Sequence, residues 1–158
     1  MKLSVYQANG FLALDKVPES GLIEIPVAAG VNIVQGDYVI PNGAGYATNT
    51  ATAAQVACFG IAAANANNTS GAAGAINVTI IPIEMGVRYS VPVANNAVIS
   101  RATVGTCCDL SANDDIDISD TTIVASAFGF WVEDFDASAQ AIDGNTFGYA
   151  IGRWKINA

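Results

Sequence analysis

The chain has 158 residues, 52% of them hydrophobic and 13% charged, enough for one domain with a sizeable core and too apolar for a disordered one. A formal net charge of −8 with six Lys and Arg leaves no basic patch for nucleic acid or for an anionic membrane surface. The absence of histidine removes Ser–His and Cys–His nucleophilic catalysis and the commonest zinc ligand.

Residues 1–21, "MKLSVYQANGFLALDKVPESG", form an arm or extension ahead of the main body. Ser4, Gln7, Asn9 and Gly10 interrupt any apolar core of a signal peptide, so no targeting segment is expected and the chain reads as made and used without secretion. Val5, Tyr6, Phe11, Leu12 and Leu14 can pack on the body or dock on a neighbour. No apolar run approaches the roughly 18–20 residues of a membrane span.

From residue 22 the chain breaks into short runs rich in β-branched residues. The strand candidates are "GLIEIPV", "GDYVIP", "INVTIIPI", "VRYSVPV", "AVISRATV", "IDISD" and "FGYAIGRWKI", separated by Gly, Asn, Asp and Pro turns. This pattern predicts an all-β fold, a compact barrel or sandwich of short strands. The loops "NGAGYA" and "SGAAGA" carry neither the Lys-Ser/Thr of a phosphate loop nor a dinucleotide fingerprint. They are turn chemistry.

An internal duplication is legible. "ACFGIAAAN" (57–65) and "SAFGFWVEDFD" (126–136) each carry a Phe-Gly pair, and a shift of 69 residues that aligns Phe59 with Phe128 also aligns Gly36 with Gly105. "IPVAAGVNIVQG" (25–36) resembles "VPVANNAVISRATVG" (91–105) with three residues added. The repeat units lie near 22–86 and 87–156 inside one β domain, 22–158. The repeat also bears on 50–66, "TATAAQVACFGIAAANA", which is helical by alanine propensity but strand-like by its counterpart at 119–134. Both are expected to be strands, with Phe59 and Phe128 buried.

The acidic block "DLSANDDIDISD" (109–120) is the only stretch that could hold an ion. Asp115, Asp117, Ser119 and Thr121 have the alternate spacing of a calcium loop, but Asp120 stands where that loop needs Gly and Ser126 where it needs Glu. The preferred reading is a solvated strand with Ile116 and Ile118 inward and Asp115 and Asp117 outward, so no metal and no cofactor is expected. Cys58, Cys107 and Cys108 form no paired framework and are expected as three thiols. The Asn-x-Ser/Thr matches at Asn67, Asn68 and Asn77 carry no weight without secretion.

The run "IPVAAGVNIVQGDYVIPNGAGYA", followed by "FGIA", resembles the capsid decoration (cement) proteins of tailed bacteriophages, most closely over 22–82. The resemblance implies a non-enzymatic virion protein on the outer face of the capsid, made in the host cytoplasm. It implies a homotrimer that bridges subunits of the major capsid protein, with no catalytic residues. A low charge fraction and small side chains suit a surface covered by other protein. The alternative is a carbohydrate- or host-surface-binding module of a phage fibre or cell surface, with Phe130, Trp131 and Phe135 as its stacking platform. A hydrolase using paired acids is the third reading, and no spacing singles out such a pair.

Overall fold

The computed structural model describes residues 10–49, 59–94, 98–112, 114–119, 128–137 and 147–156. The described strands are, in chain order, β1 (Leu12–Ala13), β2 (Ile23–Pro26), β3 (Val31–Ile33), β4 (Tyr38–Pro41), β5 (Ala47–Thr48), β6 (Gly60–Ala62) and β7 (Ala66–Asn68). They continue with β8 (Asn77–Pro82), β9 (Tyr89–Pro92), β10 (Cys107–Ala112), β11 (Asp115–Asp117), β12 (Phe128–Asp136) and β13 (Tyr149–Ile156). The only described helices are single 3-10 turns at Glu19–Gly21, Ile83–Met85 and Arg101–Thr103. The fold is all-β.

The duplication is written in the topology. One sheet runs β2-β8-β6-β4-β5 and the other β1-β9-β13-β12-β10-β11, so apart from β1 the second repeats the first strand for strand. Registers agree as well: Pro26 faces Asn77 where Pro92 faces Tyr149, and Pro41 faces Ala47 where Leu110 faces Ile116. Each sheet curls until the end of β2 meets β5, or the end of β9 meets β11, through one parallel bridge, Val27 to Ala47 and Val93 to Ile116. Two small barrels result. A curled, closed sheet hides its edges, which is how short strands avoid stray pairing.

The Phe-Gly pairs that suggest the repeat are nevertheless one residue out of step. The offset between halves grows from 66 residues (Pro26 to Pro92) to 69 (Gly36 to Gly105), then 70 (Gly60 to Phe130) and 72 (Pro82 to Trp154). Phe59 therefore corresponds to Gly129, and Gly60 to Phe130. Because side chains alternate across a strand, that one step puts Phe59 on the face opposite to the one Phe130 takes in its own sheet. Phe59 is half-buried against the first barrel's core, whereas Phe130 is fully buried in the second. The side chain of Phe128 and residues 50–58 and 120–127 lie outside what the structure describes.

One further expectation is corrected, and two strands are added that the sequence pattern does not mark. "AVISRATV" contains no strand among its described residues; it bends through the 3-10 turn at Arg101–Thr103, and Ile99 alone ties back, its N–H donating to Phe147 O at 2.9 Å. β10, "CCDLSA", the counterpart of β4, is a strand that the sequence pattern does not mark, because adjacent thiols and an acid hide an ordinary alternation: Cys108 and Leu110 are buried and Asp109 half-exposed. The two-stranded ribbon of β3 and β7 forms although "ANN" has low strand propensity. It is held by Asn68, 2% exposed, whose Nδ2 donates to the carbonyls of Val27, Ala28 and Ala72 at 3.2, 3.0 and 2.9 Å.

The cores are unequal. The first barrel is filled by small aliphatics, Val27, Ile33, Val39, Ala47, Ala62, Ala66, Val78 and Ile80. The second holds Phe130 and Trp154, directly opposite each other on β12 and β13. It also takes in Phe11 from the N-terminal segment and Tyr38 from the first barrel. Phe11 lies 5.7 Å from Phe130, 5.5 Å from Trp154 and 6.0 Å from Tyr89, ring centre to centre, and Tyr38 lies 4.8 Å from Trp154. Such aromatic pairs each contribute about 0.5–1.5 kcal/mol beyond the area they bury. The two barrels thus share one aromatic junction.

Residues 10–21 do not stand away from the body. Gly10 N–H donates to Asp114 O in the second barrel and Phe11 N–H to Gly36 O in the first, both at 2.9 Å. β1 then adds to β9, Leu12 facing Ser90 and Ala13 facing Tyr89. The segment is a strap across both barrels, and Gly10 is required there because a Cβ would sit 2.9 Å from the backbone of Gly36. Residues 1–9 lie outside the described residues.

Candidate functional site

Three surface features remain after the core is accounted for: the acidic β10–β11 hairpin, the outer face of the six-stranded sheet, and the junction crossed by the strap. In the hairpin, Ile116 faces Leu110 inward, both buried, while Asp117 faces Asp109 across the strands and Asp115 lies two residues from Asp117 on the same side. Asp109 and Asp117 are half-exposed, as in a solvated strand, whereas Asp115 departs from that expectation: its Oδ1 is buried. Like charges directly opposite on a sheet are destabilising, so the pair is tolerated only because it stays in contact with water.

Asp117 Oδ1 accepts the N–H and hydroxyl of Ser119 at 2.8 and 2.6 Å, which makes Asp117 a turn former. Ser119, Asp117 and Asp115 keep the sequence order of the calcium-loop pattern, while Asp120, Thr121 and Ser126 lie outside the described residues. Among the described residues no cluster of His, Cys, Asp or Glu is arranged to hold a metal ion.

Burial pushes the carboxyl of Asp114 above its ordinary value, and the negative charge of Asp37 adds to the shift. Asp115 is raised by burial first and by Asp114 second. Asp37 belongs to the first barrel, 5% exposed, and accepts the N–H of Val34 at 2.9 Å and Nδ2 of Asn49 at 2.7 Å. The acids of one barrel therefore feel those of the other beside the point where Gly10 crosses.

On the six-stranded sheet the outward residues include Trp131, which faces Arg153 on β13 and Cys107 on β10. Arg153 is clamped by Glu133, Nε to Oε1 at 2.7 Å and Nη2 to Oε2 at 3.3 Å, and its Nη1 donates to Gly86 O at 3.1 Å. Arg88 pairs with Asp15 of the strap at 3.1 and 2.9 Å, and Asp15 also accepts the Arg88 backbone N–H at 2.8 Å. The side-chain bond from Arg88 holds the Asp15 carboxyl below its ordinary value. In the strand order β1-β9-β13-β12 the two cations are the inner members and the two acids the outer ones, and a half-buried tryptophan faces Arg153. Their partners are far apart in the chain, so no local motif announces them.

Of the three aromatics proposed as a stacking platform, the structure buries one completely and leaves two half-buried. Phe130 is fully buried and Phe135 packs against the core. Trp131 is half-exposed on the outer face, because it alternates with Phe130. Comparison with protein families, with curated proteins and with solved structures finds no match to this chain.

Proposed function

We propose that this chain is a structural, non-catalytic virion protein that binds the outer face of a phage capsid and bridges neighbouring subunits of the major capsid protein. The observation that carries the reading is the repeat: one chain presents two barrels of the same strand order and register, joined through a shared aromatic core and strapped together. A body that offers two related surfaces can engage two related sites on a lattice, and the second contact then forms intramolecularly with a large gain in avidity. The resemblance of residues 22–82 to decoration proteins supports the same reading, and with it a homotrimer.

The outer face with Trp131, Arg153 and Glu133 is the contact surface we favour. An aromatic and an arginine flanked by satisfied charges are the residue types that dominate protein–protein contacts. The test uses capsids lacking the protein. Adding purified full-length chain should raise the temperature at which they rupture, and Trp131→Ala should weaken that binding while the fold persists. Full-length protein with no affinity for capsids, but with affinity for a glycan through Trp131, would install the carbohydrate-binding reading instead.

A further inference from the structure

The chain contains two asparagine–glycine steps, Asn9–Gly10 and Asn42–Gly43, and the fold treats their glycines differently. Asn42 opens the exposed loop between β4 and β5. Its Oδ1 accepts two backbone N–H groups, from Ala44 at 3.0 Å and from Tyr46 at 3.1 Å. Gly43 N makes no hydrogen bond among the described residues, and a Cβ placed on Gly43 would meet nothing within 4 Å. The side-chain carbonyl is thus polarised by two fixed donors, and the neighbouring peptide nitrogen is uncovered.

We propose that Asn42 is a site of self-catalysed deamidation, an ageing modification of the folded protein. Gly43 N gives up its proton to hydroxide and attacks Asn42 Cγ, forming a C–N bond and placing negative charge on Oδ1. The N–H groups of Ala44 and Tyr46 already point at that oxygen, so they stabilise the charge as it develops without reorganising. Collapse breaks the Cγ–Nδ2 bond, and the nitrogen takes up a proton from water and leaves as ammonia. Water then opens the five-membered imide at either carbonyl, giving aspartate or isoaspartate at position 42.

Both products add a negative charge to the hairpin, but they differ in structure. Aspartate keeps an oxygen where Oδ1 was and can hold the same two N–H groups. Isoaspartate routes the backbone through the side chain and lengthens it, which pulls apart the bond from Asn42 N–H to Tyr46 O at 2.9 Å. Tyr46 leads into β5, and β5 carries Ala47, the residue that closes the first barrel against Val27. Accumulated isoaspartate should therefore loosen the first barrel at its seam.

Gly10 supplies the contrast. Its N–H is held by Asp114 O at 2.9 Å and its Cα is pressed against Gly36, so the equivalent nucleophile is tied down. Full-length protein is incubated at mildly alkaline pH, in buffer and in concentrated urea, and both sites are followed by peptide mass mapping that separates aspartate from isoaspartate. In buffer Asn42 should convert several-fold faster than Asn9, and in urea the two should converge. The isoaspartate fraction should melt below the Asn42→Asp variant. Asn42 that stays intact in buffer while converting in urea, or Asn9 that leads in the folded protein, overturns the proposal.

Discussion

Gly36 and Gly105 hold the same corner of the two barrels. Gly36 turns at φ 93° and donates its N–H to Ala62 O at 2.9 Å; Gly105 turns at φ 86° and donates to Val132 O at 2.8 Å. Each stands third in a four-residue turn closed by a backbone bond, Asp37 N–H to Val34 O and Thr106 N–H to Thr103 O. That left-handed conformation is open to glycine and costs a side-chain-bearing residue about 1–2 kcal/mol.

Alanine at the two corners separates conformation from crowding. Gly105→Ala meets no neighbour within 4 Å and should lose only the conformational share, about 1–2 kcal/mol. Gly36→Ala would also press on Phe11 N at 3.2 Å, lifting the strap, and should lose clearly more. Urea unfolding of the two variants measures the difference. Equal losses would mean that the strap does not rest on Gly36.

Phe11 is the anchor of the strap. It is 2% exposed and touches the rings of Tyr89, Phe130 and Trp154. Phe11→Ala should destabilise the protein by about 3–5 kcal/mol, the range for a buried aromatic truncated to alanine. Phe135→Ala, at a half-buried position, should lose markedly less. If Phe11→Ala unfolds at the denaturant concentration of the parent, the segment is an arm and not part of the core.

The junction acids make stability fall as the pH rises. The carboxyls of Asp114 and Asp115 are raised above the ordinary 3.8, so between that value and their folded values the native state holds protons that the unfolded state has released. In that window the unfolded chain gains as pH increases. Asp114→Asn should raise the melting temperature at neutral pH and leave it nearly unchanged well below pH 3.8. Asp15 works in the opposite sense: its lowered carboxyl contributes stability above 3.8 that is lost as pH falls through its folded value. Asp15→Asn should therefore lower the neutral-pH melting temperature. Melting curves across pH read both.

Cys107 and Cys108 should remain reduced. They are adjacent on β10 and alternate, Cys108 into the core at 0% exposure and Cys107 toward the outer face at 8%, so their sulfurs diverge and cannot reach bonding geometry. Denatured, non-reduced protein should titrate three thiols, Cys58 included. A count of one would contradict the strand geometry at this pair.

Fold class and repeat are legible in the residue pattern. β-branched runs between Gly, Asn and Pro turns are a local property, and local properties survive in a single sequence. The Gly36–Gly105 equivalence was legible for the same reason, since a left-handed corner accepts little but glycine. The Phe-Gly pairs misled by one residue because a strand tolerates insertions at its ends, and register is set by partners that lie far along the chain. β10 was hidden because cysteine and aspartate are poor strand signals until the neighbouring strands show which face each side chain takes.

What the N-terminal segment does, and whether Phe130 or Trp131 faces outward, depends on long-range packing. Phe11 is indistinguishable in sequence from a residue on a loose arm; its burial follows from a cavity shaped by Tyr38, Tyr89, Phe130 and Trp154, drawn from both barrels. Trp131 and Phe130 are neighbours of the same chemical type, yet the pleat sends one outward beside Arg153 and the other inward opposite Trp154. The ion pairs of Arg88 with Asp15 and Arg153 with Glu133 likewise exist only once β1, β9, β12 and β13 lie side by side. Short-range preferences shaped the strands, but the surface available for binding depends on long-range pairing, whose closure entropy no local pattern encodes.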